Sequence, residues 1–189
     1  MNKILLVTGP SGIGKTFLGQ QLLDKYPDQF KLAQLFTTRP PRSGQQDNDR
    51  ISLQVDEFKK KSAAGEFFID DKFHNNFYGY PKALFNPGRK HLIVNTWPAL
   101  VPKFTSLPNV YVVALVSPLE QLSNLEARML ARGDDPAKVA ERLPLIKKDQ
   151  AALMELKPLI LSRGQVFLVE NDQTIRDKVL PWIESQFEL

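Results

Sequence analysis

Residues 9–16 read Gly9-Pro10-Ser11-Gly12-Ile13-Gly14-Lys15-Thr16, the full Gly-x4-Gly-Lys-Thr pattern of a phosphate-binding loop. A loop of this make-up turns successive backbone N–H groups toward the β-phosphate of a nucleotide, so Gly9, Ser11, Gly12 and Gly14 serve through their backbone. Lys15 adds a mobile positive charge for the β- and γ-phosphate oxygens, and Thr16 adds a hydroxyl able to ligate Mg²⁺. A nucleotide and a hard divalent cation are the expected companions.

A second cationic group lies in Thr37-Thr38-Arg39-Pro40-Pro41-Arg42-Ser43-Gly44. Two arginines three positions apart in a proline-stiffened segment can present planar forks to one phosphate. Each charge-assisted bond contributes about 1.5–3 kcal/mol away from water. Taken alone the segment reads as an exposed basic turn. Its place at the end of a strand, beside a nucleotide loop, is where open α/β sheets bind ligands. Arg128 and Arg132 stand four apart on a helical pattern, a spacing that also fits surface pairing with Glu120 or Glu126.

These groups need elements to hold them. Short apolar runs over 3–7, 32–36, 91–94, 110–116 and 166–169 predict five buried parallel strands. Helical patterns between most of them predict βαβ units. The loop falls between the first run and a helix expected over 16–25, which Tyr26-Pro27 ends. Two stretches exceed this alternation. Residues 37–88 hold the basic loop, a candidate helix over 56–64, aromatic residues and a second loop; 118–158 reads as largely helical. In the latter, Asp135 is an expected N-cap, Pro136 a first helical residue, and Pro144 a kink or the true start. Val179, Trp182, Ile183 and Phe187 recur at helical spacing and are expected core. The expected fold is α/β, a single nucleotide-binding domain over 1–189 with a five-stranded parallel sheet and two insertions, one over 37–88 and a helical one over 118–157.

The 25 Lys and Arg against 21 Asp and Glu leave a net charge of +4, which suits a protein handling phosphates. No basic run reaches five residues and Lys59-Lys60-Lys61 reads as a solvated helix face, so no nucleic-acid partner is expected. No apolar stretch reaches eighteen residues, and the first apolar run lacks a cleavage site, so neither a membrane span nor a signal peptide is expected. The chain has 0 cysteines, which excludes disulfides and thiolate metal sites and suits a cytoplasmic protein. His74 and His91 lack metal-ligand spacing.

The phosphate loop, Thr37-Thr38-Arg39-Pro40-Pro41-Arg42, Phe77-Tyr78-Gly79 and Ala131-Arg132-Gly133-Asp134 together resemble the guanylate kinase family, in its order and at similar spacing. Asp56-Glu57-Phe58 followed by Ala64-Gly65-Glu66-Phe67 resembles the helix crossing that family's acceptor-binding insertion. The resemblance implies a P-loop kinase three-layer fold and transfer of the γ-phosphoryl of ATP to the phosphate of GMP with Mg²⁺. It implies that Lys15 and Thr16 hold ATP and metal, while Arg39, Arg42 and Tyr78 grip the acceptor phosphate. Arg128 and Arg132 match lid arginines, Arg142 matches an arginine that reaches the transferring group, and Asn171-Asp172 matches a segment beside the adenine. Lys15, Arg132 and Arg142 are thus the implied catalytic set. Phosphoryl transfer rests on in-line positioning and charge neutralisation, and cations from a closing lid suit it.

The positions that read the acceptor beyond its phosphate depart from the family's pattern. An expected serine is Leu35, an expected tyrosine Ile51, an expected carboxylate Ile69, and the serine after Tyr78-Gly79 is Tyr80. The family's Asp-x-Asp-x-Gln-Gly is replaced by Val94-Asn95-Thr96-Trp97-Pro98-Ala99. Asp70 and Asp71 follow Ile69, and a one-residue register shift would let Asp70 take the carboxylate's part. GMP is the leading acceptor. Leu92-Ile93-Val94-Asn95 and Ile51-Ser52-Leu53 resemble the ribose 1,5-bisphosphate phosphokinases, which makes a sugar bisphosphate the alternative. A guanylate-kinase-like binding module or a nucleotide-binding switch is the non-enzyme alternative. Intact Lys15 and Thr16 argue against the module, and paired acceptor arginines against the switch.

Overall fold

Apolar β-branched and leucine side chains alternate between two faces of the strand that leads into the loop, and this alternation builds the molecule. The computed structural model describes residues 2–41, 49–73, 75–86, 88–131 and 133–189. In chain order these form β1 (Ile4–Thr8), α1 (Lys15–Lys25), β2 (Phe30–Leu32), β3 (Leu35–Thr37), β4 (Arg50–Ser52), α2 (Val55–Ala63), β5 (Phe67–Phe73) and β6 (Asn76–Pro81). There follow β7 (His91–Thr96), α3 (Val101–Phe104), β8 (Val110–Val116), α4 (Leu122–Ala131), α5 (Pro136–Glu155), α6 (Lys157–Leu161), β9 (Gly164–Leu168), α7 (Asp172–Thr174) and α8 (Leu180–Phe187).

The central sheet has five parallel strands in the order β2-β7-β1-β8-β9. On one face Leu5, Val7, Ile93, Val113 and Leu115 pack against Leu18 and Leu22 of α1 and Ile183 and Phe187 of α8. On the other, Leu6, Leu92, Val94 and Val112 pack against Val101 and Phe104 of α3 and Leu153 of α5. Each fully buried leucine contributes about 1.5–3 kcal/mol relative to exposure. Helix, sheet and helix make the three layers of an α/β fold. Among the described residues no helix is long and apolar enough to cross a membrane.

The structure corrects the expected second strand. The run 32–36 divides at Ala33-Gln34: β2 joins the central sheet beside β7, whereas β3 belongs to a second sheet of four strands in the order β4-β3-β6-β5. Both halves are apolar because both are buried, so composition hides the break. The expected loops of 37–88 also conceal strands, since β5 and β6 pair antiparallel and β3 pairs antiparallel with β6. Within 37–88, α2 stands where the sequence predicts a helix. Gly79 on β6 meets a steric demand: an added Cβ would lie 2.7–2.8 Å from atoms of the Phe67 ring.

In the last third, the Asp135 carboxylate accepts the Ala137 N–H at 2.8 Å and caps α5, with Pro136 as its first residue. Pro144 neither starts nor ends this helix, which runs through it to Glu155. Gln150 anchors α5 to the end of β8: its side-chain amide donates to the Ser117 carbonyl at 2.6 Å, and its oxygen accepts the Ser117 N–H at 3.0 Å.

Candidate functional site

The phosphate loop leaves β1 at the C-terminal edge of the central sheet and enters α1. Gly12 takes φ +80°, and an added Cβ would lie 2.9 Å from the Leu125 carbonyl, so α4 presses its backbone on the loop. That close approach and the left-handed conformation both exclude a side chain. Ile13 anchors the loop in the core, fully buried. The Lys15 ammonium donates to the carbonyl oxygens of Gly9 at 2.5 Å and Pro10 at 2.8 Å, folding over the loop. Thr16 is exposed at the first turn of α1.

The second sheet builds the facing wall. The Thr37 hydroxyl donates to the Phe77 carbonyl at 2.9 Å and accepts the Arg39 N–H at 3.1 Å. The Thr38 hydroxyl accepts the Phe77 N–H at 2.9 Å, and Ser52 donates to the Arg39 carbonyl at 2.8 Å. The paired threonines thus bind the segment's backbone to β6. Register places Thr37 opposite Tyr78, and Tyr78 opposite Asp71. Tyr78, Tyr80 and Phe73 gather around Trp97, whose ring stacks on Phe73 at 4.8 Å and meets Tyr78 edge-on at 5.4 Å. Trp97 is therefore packed into the wall. Arg42 and Arg132 lie outside the described residues, as does His74.

Asp70 does not share the face of Tyr78. It pairs with Gly79, one position off, and accepts a hydrogen bond from Ser62 of α2 at 2.5 Å on the opposite side of the sheet. A bulge between Phe67 and Ile69 sets this register, and a one-residue step moves a strand side chain across the sheet. Asp71, half-buried, is the carboxylate that faces with Tyr78. Tyr80 is fully buried; its hydroxyl donates to the Asn95 carbonyl at 2.9 Å and lies 3.3 Å from the Thr96 hydroxyl. Burial pushes that hydroxyl well above its ordinary pKa, while the Thr96 contact and the charge of Arg50 pull it back.

The arginines of the helical region are tied to carboxylates. Arg128 pairs with Asp172, and its Nη2 lies 3.9 Å from where a Cβ on Gly14 would stand, beside the loop. Arg142 pairs with Asp134 at 2.9 Å, both side chains largely buried. Neither Glu120 nor Glu126 takes up Arg128 as surface spacing would suggest. The Asn171 side chain accepts the Thr174 N–H at 3.0 Å and caps α7.

Asp149 escaped sequence reasoning. It lies seven residues after Arg142, two helical turns along the same side of α5, and that spacing was the available signal. Its carboxyl is pushed up to about 6 by burial, against the pull of Lys15 and Lys148. A raised carboxyl pKa favours folding below the ordinary value near 3.8, and this contribution is lost as pH rises through about 6. Asp149→Asn should therefore raise the Tm of the nucleotide-free protein more at pH 8 than at pH 5. Melting curves showing an equal shift at both values would discard the burial account.

The oxygens near the loop suit a hard cation. They are the Thr16 hydroxyl and the hydroxyl of Thr8, which is buried, has no hydrogen-bond partner among the described residues and lies beside Thr96 in register. Among the described residues no group of three His, Cys, Asp or Glu could hold a metal ion. A Mg²⁺ shell here would thus draw on phosphate oxygens and water, as this cation usually does.

The Guanylate kinase family model matches residues 1–84. A guanylate kinase of Maricaulis maris is 33% identical over 152 residues, 78% of this chain and 69% of that protein. One of a Nostoc species is 32% identical over 157 residues, 79% of this chain and 77% of the relative. The crystal structure of guanylate kinase from Anaplasma phagocytophilum superposes with a TM-score of 0.69 at 19% identity, covering 100% of this chain and 87% of that one, a likeness of fold.

Proposed function

The chain belongs to the guanylate kinase family, and on that footing we propose that it transfers the γ-phosphoryl group of ATP to the phosphate of GMP. The observation that carries the reading is an intact phosphate loop together with a second sheet on which threonine hydroxyls fix the backbone of the Thr37-Thr38-Arg39 segment against the strand that carries Tyr78. Arg39 and Tyr78, with Arg42, take the acceptor phosphate. Lys15 exchanges the Gly9 and Pro10 carbonyls for the β- and γ-phosphate oxygens of ATP. Arg128 and Arg142 exchange Asp172 and Asp134 for the transferring group, joined by Arg132, and Asn171 lies on the adenine side. Thr16 would hold Mg²⁺, which supplies charge neutralisation across the β- and γ-oxygens. Closure of α4 and α5 over both substrates excludes water and suppresses hydrolysis. The absence of cysteine suits a cytoplasmic setting. No observation favours the ribose 1,5-bisphosphate alternative.

A coupled ADP-release assay with ATP and Mg²⁺ tests this directly. GMP should stimulate turnover, and stimulation by ribose 1,5-bisphosphate alone would overturn the reading. Arg39→Ala should raise the KM for GMP about ten- to hundredfold, the loss of one charge-assisted contact. The KM for ATP should stay within about twofold. An unchanged GMP dependence would remove Arg39 from the acceptor clamp.

A further inference from the structure

On the kinase reading above, we propose that Asp149 is a positioning residue for the transfer: its carboxylate holds the Lys15 ammonium toward the β- and γ-phosphate oxygens of ATP.

α5 crosses the end of the central sheet beside the phosphate loop. Val139 and Ile146 belong, with Ile13 of the loop, to the core on one face of the sheet, and Leu153 belongs to the core on the other. Asp149 lies between these anchors, three residues after Ile146 and four before Leu153, so it shares their inward side of the helix. The crossing is pinned at the next residue, where the Gln150 side chain bonds both backbone groups of Ser117, just past the end of β8. Ser117 stands two residues beyond Leu115, about 7 Å along the strand. A Cβ on Gly9 would lie 2.5 Å from the Leu115 carbonyl, so the loop starts against that same stretch of β8. Lys15 in turn folds onto the Gly9 carbonyl at 2.5 Å. Loop, strand end and helix thus meet around one point, and Lys15 is the stronger of the two charges, with Lys148, that reach the Asp149 carboxyl.

The inward side of α5 is otherwise apolar at Ile146 and Leu153. A carboxylate there is desolvated at a cost to folding, which only the charges of Lys15 and Lys148 oppose. Carboxyls displaced by burial beside a specific cation gather at functional sites. The placement orders charge. A carboxylate alone would repel a triphosphate entering the loop, whereas an ammonium lying between the two attracts both. Asp149 therefore favours the Lys15 orientation that faces the phosphates over the one folded onto the Gly9 and Pro10 carbonyls. Asparagine keeps the shape of the side chain and loses the attraction.

The test is a double-mutant cycle on Lys15→Ala and Asp149→Asn, read in GMP-dependent ADP release and in melting temperature. Asp149→Asn should lower kcat about ten- to hundredfold, the effect of a catalytic group held slightly out of place, while the KM for ATP stays within about threefold. Its Tm at pH 8 should rise at the same time, a split that a structural role would not give. Asp149→Glu keeps the charge and should recover most of the lost kcat. In the Lys15→Ala chain, Asp149→Asn should lower kcat no further, because the carboxylate acts through the ammonium. An equal loss in both backgrounds would overturn the proposal, as would a fall in Tm or an unchanged kcat in Asp149→Asn. An unaltered protein that ignores GMP would instead overturn the kinase reading. The carboxyl ¹³C signal of Asp149 in the nucleotide-free protein then decides the coupling without any acceptor: its titration midpoint should rise in Lys15→Ala, and an unmoved midpoint would refute the link between the two side chains.

Discussion

Lys15→Ala should lower kcat about 10²–10³-fold while the protein still folds. In the structure the ammonium spends its donors on the Gly9 and Pro10 carbonyls. Hydrogen bonds of this kind from a flexible, half-buried side chain are worth about 1 kcal/mol each net to folding. At this chain length that corresponds to about 2–4 °C in Tm. In the transition state the same charge faces phosphoryl oxygens away from water, where preorganised cations contribute most. Stability and turnover therefore separate for this residue. Asp149 sharpens the test, because Lys15 is the stronger of the two charges holding its carboxyl down against burial. Removing Lys15 should push that carboxyl further up and extend the pH dependence of Tm toward neutrality. Lys15→Arg should not restore turnover, since a planar fork cannot take the place of a compact ammonium in a closed loop. A kcat within threefold of the unaltered protein would sink the assignment. A Tm collapse beyond 10 °C would make Lys15 a folding residue instead.

What was legible in the chain depended on how local the cause was. The phosphate loop reads directly because each of its residue types answers a constraint within eight positions: backbone curvature, a cation, a hydroxyl. The cap of α5 reads for the same reason, Asp135 and Pro136 being a purely local device. Asp70 illustrates the opposite case. Which of two adjacent aspartates faces Tyr78 depends on a bulge at Phe67–Ile69 and on the register of β5 with β6, neither of which is written in Asp70 itself. The division of 32–36 between two sheets was hidden likewise, because Leu32 and Leu35 are apolar for different partners.

Arg142→Ala should cost both stability and turnover, and the two losses should part when Asp134 is changed with it. Arg142 and Asp134 meet at 2.9 Å with side chains only 15% and 8% exposed, across the turn that joins α4 to α5. Taking away the cation strips a buried carboxylate of this partner, at a cost of about 3 kcal/mol, or about 6–12 °C in Tm. Asp134→Asn in the same chain replaces that charge with a neutral amide of the same shape, so Tm should largely recover. Turnover should not. If Arg142 leaves Asp134 for the transferring phosphoryl group, its absence removes transition-state stabilisation that no change at Asp134 can replace, and kcat should remain about 10²–10³-fold down. Asp134→Asn alone leaves the guanidinium available and should keep kcat within about threefold. Steady-state rates and melting curves on the three variants complete the cycle. Recovery of kcat together with Tm in the double variant would show that Arg142 acts only by holding the turn, and the reaction would then have to draw its positive charge from Lys15, Arg128 and Arg132.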